Sequence, residues 1–196
     1  TYLRYQLTAG LNMGLAGIPW WTTDIGGFHG GDPKDPKFQE LLVRWFEYGT
    51  FCPVMRLHGY RWPLQPQYGT TGGATCVSGA PNEVWSYTDQ VCEILSDYLR
   101  LRERMLPYIT ELMEEAHEKG TPVMRPLFYD FPEDKESWNV ETEYMFGPKV
   151  LVKPITDADA RETDVYLPGG ASWTNAWTGE TFEGGQKVHV AAPIEQ

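Results

Sequence analysis

Two short apolar runs on either side of one amphipathic segment constrain this chain most. Leu15-Ala16-Gly17-Ile18-Pro19-Trp20-Trp21 is short and apolar, then stops abruptly at Thr22-Thr23-Asp24 and Gly26-Gly27, so it reads as a buried strand. From Pro36 to Tyr48 the spacing is helical, with Phe38, Leu41, Leu42, Trp45 and Phe46 on one face. Pro36 suits a first helical turn and Gly49 the position after the last. Thr50 to Leu57 is a second short strand, ending in Arg56-Leu57-His58-Gly59. Strand, helix, strand at this spacing predicts a βαβ unit, and therefore a parallel sheet.

The flanking segments read differently. Tyr2 to Asn12 has the character of a helix end. Residues 59 to 83 are rich in Gly, Pro, Gln and Thr and read as one long loop. Glu83 to Lys119 is a long helix, with Pro107 as a kink or break and Gly120 as its stop. Beyond residue 120, Pro122–Phe131, Tyr144–Ile155, Thr163–Leu167, Ser172–Trp177 and Lys187–Ala191 are apolar runs between Gly, Pro and Asp clusters. Gly169-Gly170 and Gly184-Gly185 mark turns, so this part reads as antiparallel β. The fold class is α/β followed by β.

Composition removes several function classes. Lys and Arg number 16 against 27 Asp and Glu, a net charge of −11. Such a chain repels the phosphates that dominate nucleic-acid and anionic-membrane binding, so neither is an expected partner. No apolar run reaches membrane-spanning length. Cys52, Cys76 and Cys92 form no CxxC pair, which argues against a disulfide scaffold or zinc ribbon. Free buried thiols suit a reducing compartment and favour a cytoplasmic setting. Aromatic residues make up 14% of the chain, with 8 Trp, and such faces suit sugar rings and packed cores alike.

Two stretches carry the candidate chemistry. In Trp20-Trp21-Thr22-Thr23-Asp24-Ile25-Gly26-Gly27-Phe28 an apolar run ends in an acid, two glycines and an aromatic. In parallel α/β folds the active site gathers at that end of the strands; a turn capped by Asp would use the same residues. In the second stretch Arg56 and His58, two apart on a strand, point the same way. His58 suits hydrogen bonding to sugar hydroxyls or tuning of a carboxylate, and a satisfied buried histidine is the plain alternative. His117 lies outside any HExxH, Asp157-Ala158-Asp159 is no calcium loop, and GxGxxG, GxxxxGK[ST] and GxSxG are absent. No metal site and no cofactor is expected.

Together these stretches resemble glycoside hydrolase family 31, the α-glucosidases and α-xylosidases. The matching residues are Gly17 to Phe28, Glu40-Leu41 with Arg44-Trp45, and Phe51 and Pro53 with Arg56-Leu57-His58-Gly59. Leu101-Arg102, Leu106-Pro107-Tyr108 and Pro122-Val123-Met124-Arg125-Pro126-Leu127 support them. The resemblance implies that residues 1–120 form the last strands and helices of a (β/α)8 barrel. Residues 121–196 would begin an antiparallel β-sandwich, incomplete here. A whole barrel needs roughly 250 residues, and the chain has no initiator Met, so it is expected to be part of a longer protein. An open barrel edge would favour self-association into a homo-oligomer.

The resemblance also implies a retaining mechanism with two carboxylates. By the match, the nucleophile and the acid/base both fall before Thr1, so no residue of this chain is assigned a catalytic role. What the match places here is one wall of the terminal sugar site. His58 would hydrogen-bond the sugar and Phe28 would form an apolar wall. Trp21 and Asp24 would shape the floor, and Arg56 would pair with a carboxylate. The implied partner is an oligosaccharide or glycoside. Two other readings stay open: a non-catalytic carbohydrate-binding or scaffold piece, and a transglycosylase or lyase of the same family.

Overall fold

The computed structural model describes residues 2–196. Helix α1 spans Tyr2–Leu15, α2 Pro36–Thr50 and α3 Asp89–Lys119. Between α2 and α3 a hairpin joins β1 (Arg61–Gln65) to β2 (Ser78–Ala80). Next come β3 (Met124–Pro126), the single turn α4 (Leu127–Asp130), β4 (Tyr144–Phe146) and β5 (Val150–Val152), the three strands forming one sheet. Then follow β6 (Glu162–Leu167), β7 (Ser172–Thr174), β8 (Thr181–Glu183) and β9 (Gln186–Ala191). Strand β6 pairs with β9 and β7 with β8.

Local chemistry accounts for the helix ends. Asp35 caps α2 by accepting from the Lys37 N–H at 3.0 Å, with Pro36 in the first turn. Thr88 caps α3 through the Val91 N–H, and Gly120 closes it in the left-handed conformation. The helix continues through Pro107 without a break. The Glu103 carbonyl that proline leaves unpaired belongs to an exposed residue, where water can serve it.

One core joins the three long helices to the β3–β4–β5 sheet. Leu3, Leu7, Leu42, Phe46, Leu95, Ile109, Met124, Tyr144 and Phe146 all belong to it. Helix α2 is buried from Leu42 to Thr50, on every side rather than along the single predicted stripe. Its Arg44 ties the helix to the C-terminal region. The buried guanidinium donates to the carbonyls of Ala160, Ala192, Pro193 and Gln196 and to Glu47. Glu40 adds a salt bridge of 2.6 Å to Arg161.

Several expectations need correction. Neither apolar run beside α2 forms a regular strand, and every ladder among the described residues is antiparallel. The first run is the end of α1, a turn at Ala16-Gly17 and then irregular chain through Trp21. The second begins inside α2, so Gly49 is a helical residue rather than a cap. A Cβ on Gly49 would stand 2.6 Å from Ile25 Cδ1, so close packing, not termination, demands glycine there. The two segments do run side by side in the parallel sense. The Val54 N–H donates to the Trp21 carbonyl at 3.1 Å and the Ile25 N–H to the Arg56 carbonyl at 3.3 Å. Two hydrogen bonds do not make a ladder.

The segment 59–83 is a hairpin with a 3-10 turn at Gly72–Thr75, not a structureless loop. The run 144–155 splits into β4 and β5, and 122–131 into β3 and α4. Strand β8 has no counterpart in the predicted set. Cys52 is buried as expected, whereas Cys76 is exposed.

Candidate functional site

The loop that follows Trp21 and the segment that follows α2 meet on one side of the molecule. Along Met55-Arg56-Leu57-His58 the burial alternates. Met55 and Leu57 pack against the core, while Arg56 and His58 face solvent, as their spacing predicts. Arg56 Nη2 donates to Asp24 Oδ1 at 2.6 Å. Asp24 begins a tight turn, its carbonyl accepting from the Gly27 N–H at 2.8 Å. The Phe28 ring lies 5.4 Å from the His58 ring, tilted by 37°, and is 46% exposed. No hydrogen-bond partner for either His58 nitrogen occurs among the described residues. The result is an exposed apolar ring beside an unspent imidazole, with an ion pair next to them in the chain.

Gly59 lets these segments approach. Its φ is +112°, and a Cβ there would stand 2.7 Å from the carbonyl oxygens of both Gly27 and Phe28. Only glycine fits directly after His58.

Trp21 is turned away from this group. Its indole covers Gly10 of α1, and its Nε1 donates to the Tyr48 hydroxyl at 3.1 Å. It braces the loop from inside rather than joining Phe28 and His58 at the surface. Trp45 does the same one turn of α2 earlier, donating to Thr23 Oγ1 at 2.8 Å.

The residue that organises the site is one that sequence patterning did not single out. Arg61 is fully buried at the start of β1. Its guanidinium donates to the carbonyls of Ile25 at 2.9 Å, Gly27 at 2.8 Å, Gly30 at 3.1 Å and Tyr60 at 3.1 Å, and to Asn82 Oδ1 at 3.1 Å. It also lies over the Phe38 ring at 5.1 Å. A planar, five-donor group thus holds the Ile25–Gly30 loop, and with it Phe28, in one shape. A signal does exist: Tyr60-Arg61-Trp62 alternates aromatic, cationic, aromatic directly after His58-Gly59. Arg102 does a similar service below, donating to the carbonyls of Thr50, Cys52 and Pro53 where α2 ends. No cluster of metal-ligating side chains occurs among the described residues.

Residues 1–112 match the TIM-barrel domain of glycosyl hydrolases family 31, and residues 120–196 match the C-terminal domain of that family. The chain belongs to glycoside hydrolase family 31. An α-xylosidase of Saccharolobus solfataricus is 38% identical over 98% of the chain, which covers 24% of that protein. Alpha-glucosidase 2 of Bacillus thermoamyloliquefaciens is 35% identical over 99% of the chain, covering 22% of that protein. The crystal structure of a family 31 α-xylosidase from a soil metagenome, complexed with xylose, superposes with a TM-score of 0.92 at 53% identity. It matches 96% of this chain and 28% of that one. The chain therefore spans about a quarter of the length of these family 31 relatives. No helix among the described residues is long and apolar enough to cross a membrane.

Proposed function

We propose that this chain supplies one wall of the sugar site of a retaining, exo-acting α-glycosidase that releases terminal α-linked xylose or glucose. The observation that carries the reading is the pairing of the exposed Phe28 ring with the unspent His58 imidazole, set beside the Asp24–Arg56 ion pair. A pyranose presents an apolar face and a rim of hydroxyls. An aromatic ring with polar groups at its edge is complementary to both. In this reading His58 bonds a ring hydroxyl and Phe28 covers the apolar face. Asp24, its Oδ1 taken by Arg56, offers Oδ2 to a second hydroxyl. Bonds of this kind that tighten as the sugar flattens toward an oxocarbenium ion accelerate the chemistry.

Residues 1–120 are the closing part of the barrel in this proposal, and 121–196 the start of the β domain after it. Neither catalytic carboxylate is assigned to this chain, so the 196 residues alone are expected to be inert. The names of the two α-xylosidase relatives make xylose the sugar to test first.

The test compares the longest natural product containing this chain with the isolated 196 residues, on nitrophenyl α-xyloside and α-glucoside. Turnover by the long form alone supports the reading, and the faster substrate names the activity. Turnover by the short chain, or by neither, overturns it. In the long form, Phe28→Ala and His58→Ala should each lower kcat/KM by at least about tenfold, what one good interaction with the transition state is worth.

A further inference from the structure

We propose that Tyr60 and Trp62 extend the site into an aromatic platform for the leaving-group sugar of the substrate. The proposal rests on the glycosidase reading above and adds where the second sugar unit lies.

Tyr60 and Trp62 are two apart and flank Arg61. Alternation along an extended segment sends the arginine inward and both rings to the other face. Arg61 is wholly buried, Tyr60 half-buried and Trp62 48% exposed, as that geometry requires. The rings continue the surface that Phe28 begins. Phe28 lies 4.6 Å from His29 and 6.4 Å from Tyr60, His29 lies 5.3 Å from Tyr60, and Tyr60 lies 6.2 Å from Trp62. All four contacts are edge-to-face, so none stacks two rings face on face, and the exposure of Phe28 and Trp62 at the two ends leaves ring surface open to a ligand.

The platform is held before any ligand arrives. The Tyr60 N–H donates to the Phe28 carbonyl at 3.0 Å and the Trp62 N–H to the Gly31 carbonyl at 2.9 Å. Three of the Arg61 hydrogen bonds, to Ile25, Gly27 and Gly30, fix the Phe28 loop from below, and a fourth holds the Tyr60 carbonyl. The Trp62 indole rests over Gly30, where a Cβ would stand 2.7 Å from its Nε1. Little ordering entropy remains to be lost on binding, which favours use as a recognition surface. Continuity with Phe28 decides the occupant. If the terminal sugar covers Phe28, the next group along the rings is the one bonded to it, the leaving-group sugar.

The experiment uses the full-length protein with Trp62→Ala, Trp62→Phe and Tyr60→Ala. Each variant is assayed on an α-linked disaccharide and on the matching α-glycosyl fluoride, whose leaving group has no ring. Trp62→Ala should lower kcat/KM on the disaccharide about tenfold while the fluoride rate holds within about twofold. Trp62→Phe should lose less, and only on the disaccharide. The fluoride rate also reports whether each variant folds, and Trp62→Phe keeps the test open if Trp62→Ala does not. Equal losses on both substrates, or no loss on the disaccharide, overturn the platform alone. A wild-type protein inert on both overturns the glycosidase reading and the platform with it.

Discussion

Asp24 and Arg56, from two different segments, share a hydrogen bond of 2.6 Å between Oδ1 and Nη2. Half of the arginine side chain and a quarter of the aspartate side chain remain exposed. The pair sits beside two backbone hydrogen bonds that align 21–25 with 54–56, so it sets the side chains where the backbones already run together.

That exposure gives the first prediction. A solvent-facing ion pair contributes at most about 1 kcal/mol to folding. Asp24→Asn should therefore leave the unfolding free energy nearly unchanged while lowering kcat/KM of the long form at least about tenfold by removing a charge-assisted bond. Chemical denaturation and steady-state kinetics on one preparation check both halves. A drop in stability matching the drop in activity would make Asp24 a structural residue only.

Arg61 predicts the reverse. Removing it strands the buried carbonyls of Ile25 and Gly30 and leaves a void beneath the loop. Arg61→Ala should cost at least about 3 kcal/mol of stability, from orphaned acceptors and the cavity together. Arg61→Lys should recover little, because an ammonium has three donors and no planar fork. Urea unfolding of the three proteins distinguishes these outcomes.

Glu47 predicts a pH dependence. Burial pushes its carboxyl from 4.5 up to about 8, against the pull of the Arg44 guanidinium 3.1 Å away. The folded chain then holds a proton that the unfolded chain has released. Its contribution to stability is full below pH 4.5 and is lost as pH rises to about 8. Glu47→Gln, which mimics the protonated form, should remove that decline. Thermal unfolding of both proteins from about pH 5 to about pH 9, a range that brackets most of this titration, measures it.

The cysteines predict an order of reaction. Burial pushes the Cys52 thiol up to about 12, so at neutral pH it carries no thiolate. Cys76 is exposed. Iodoacetamide at mildly alkaline pH should modify Cys76 first and reach Cys52 only after unfolding, read by peptide mass spectrometry. Early modification of Cys52 would mean that the end of α2 opens readily.

Signals that act within a few residues could be read directly along the chain. Pro36 in the first turn of α2 and Gly120 at the end of α3 are such signals, whereas α3 begins at Asp89, behind its Thr88 cap, rather than at Glu83 as the composition predicts. Antiparallel β beyond residue 120 followed from apolar runs between turn glycines. The alternation of Met55, Arg56, Leu57 and His58 followed from a period of two, and it placed Arg56 and His58 on one face correctly.

Features that depend on distant partners could not be read that way. Apolar runs at 15–21 and 50–57 have strand composition, yet a strand exists only where a neighbour supplies a ladder, and among the described residues one backbone hydrogen bond, from Val54 to Trp21, joins the runs, with a second from Ile25 just beyond. Trp21 reads as part of the sugar-site floor until Gly10, eleven residues earlier, opens a seat for its indole. Arg61 reads as one charge among many until five acceptors from three separate stretches converge on it. Local sequence thus set which long segments are helical, where α2 begins, where α3 ends and which motif residues face outward. Turning a cation inward was left to the fold, because burying a guanidinium is favourable only when distant carbonyls arrive together to replace the water it loses.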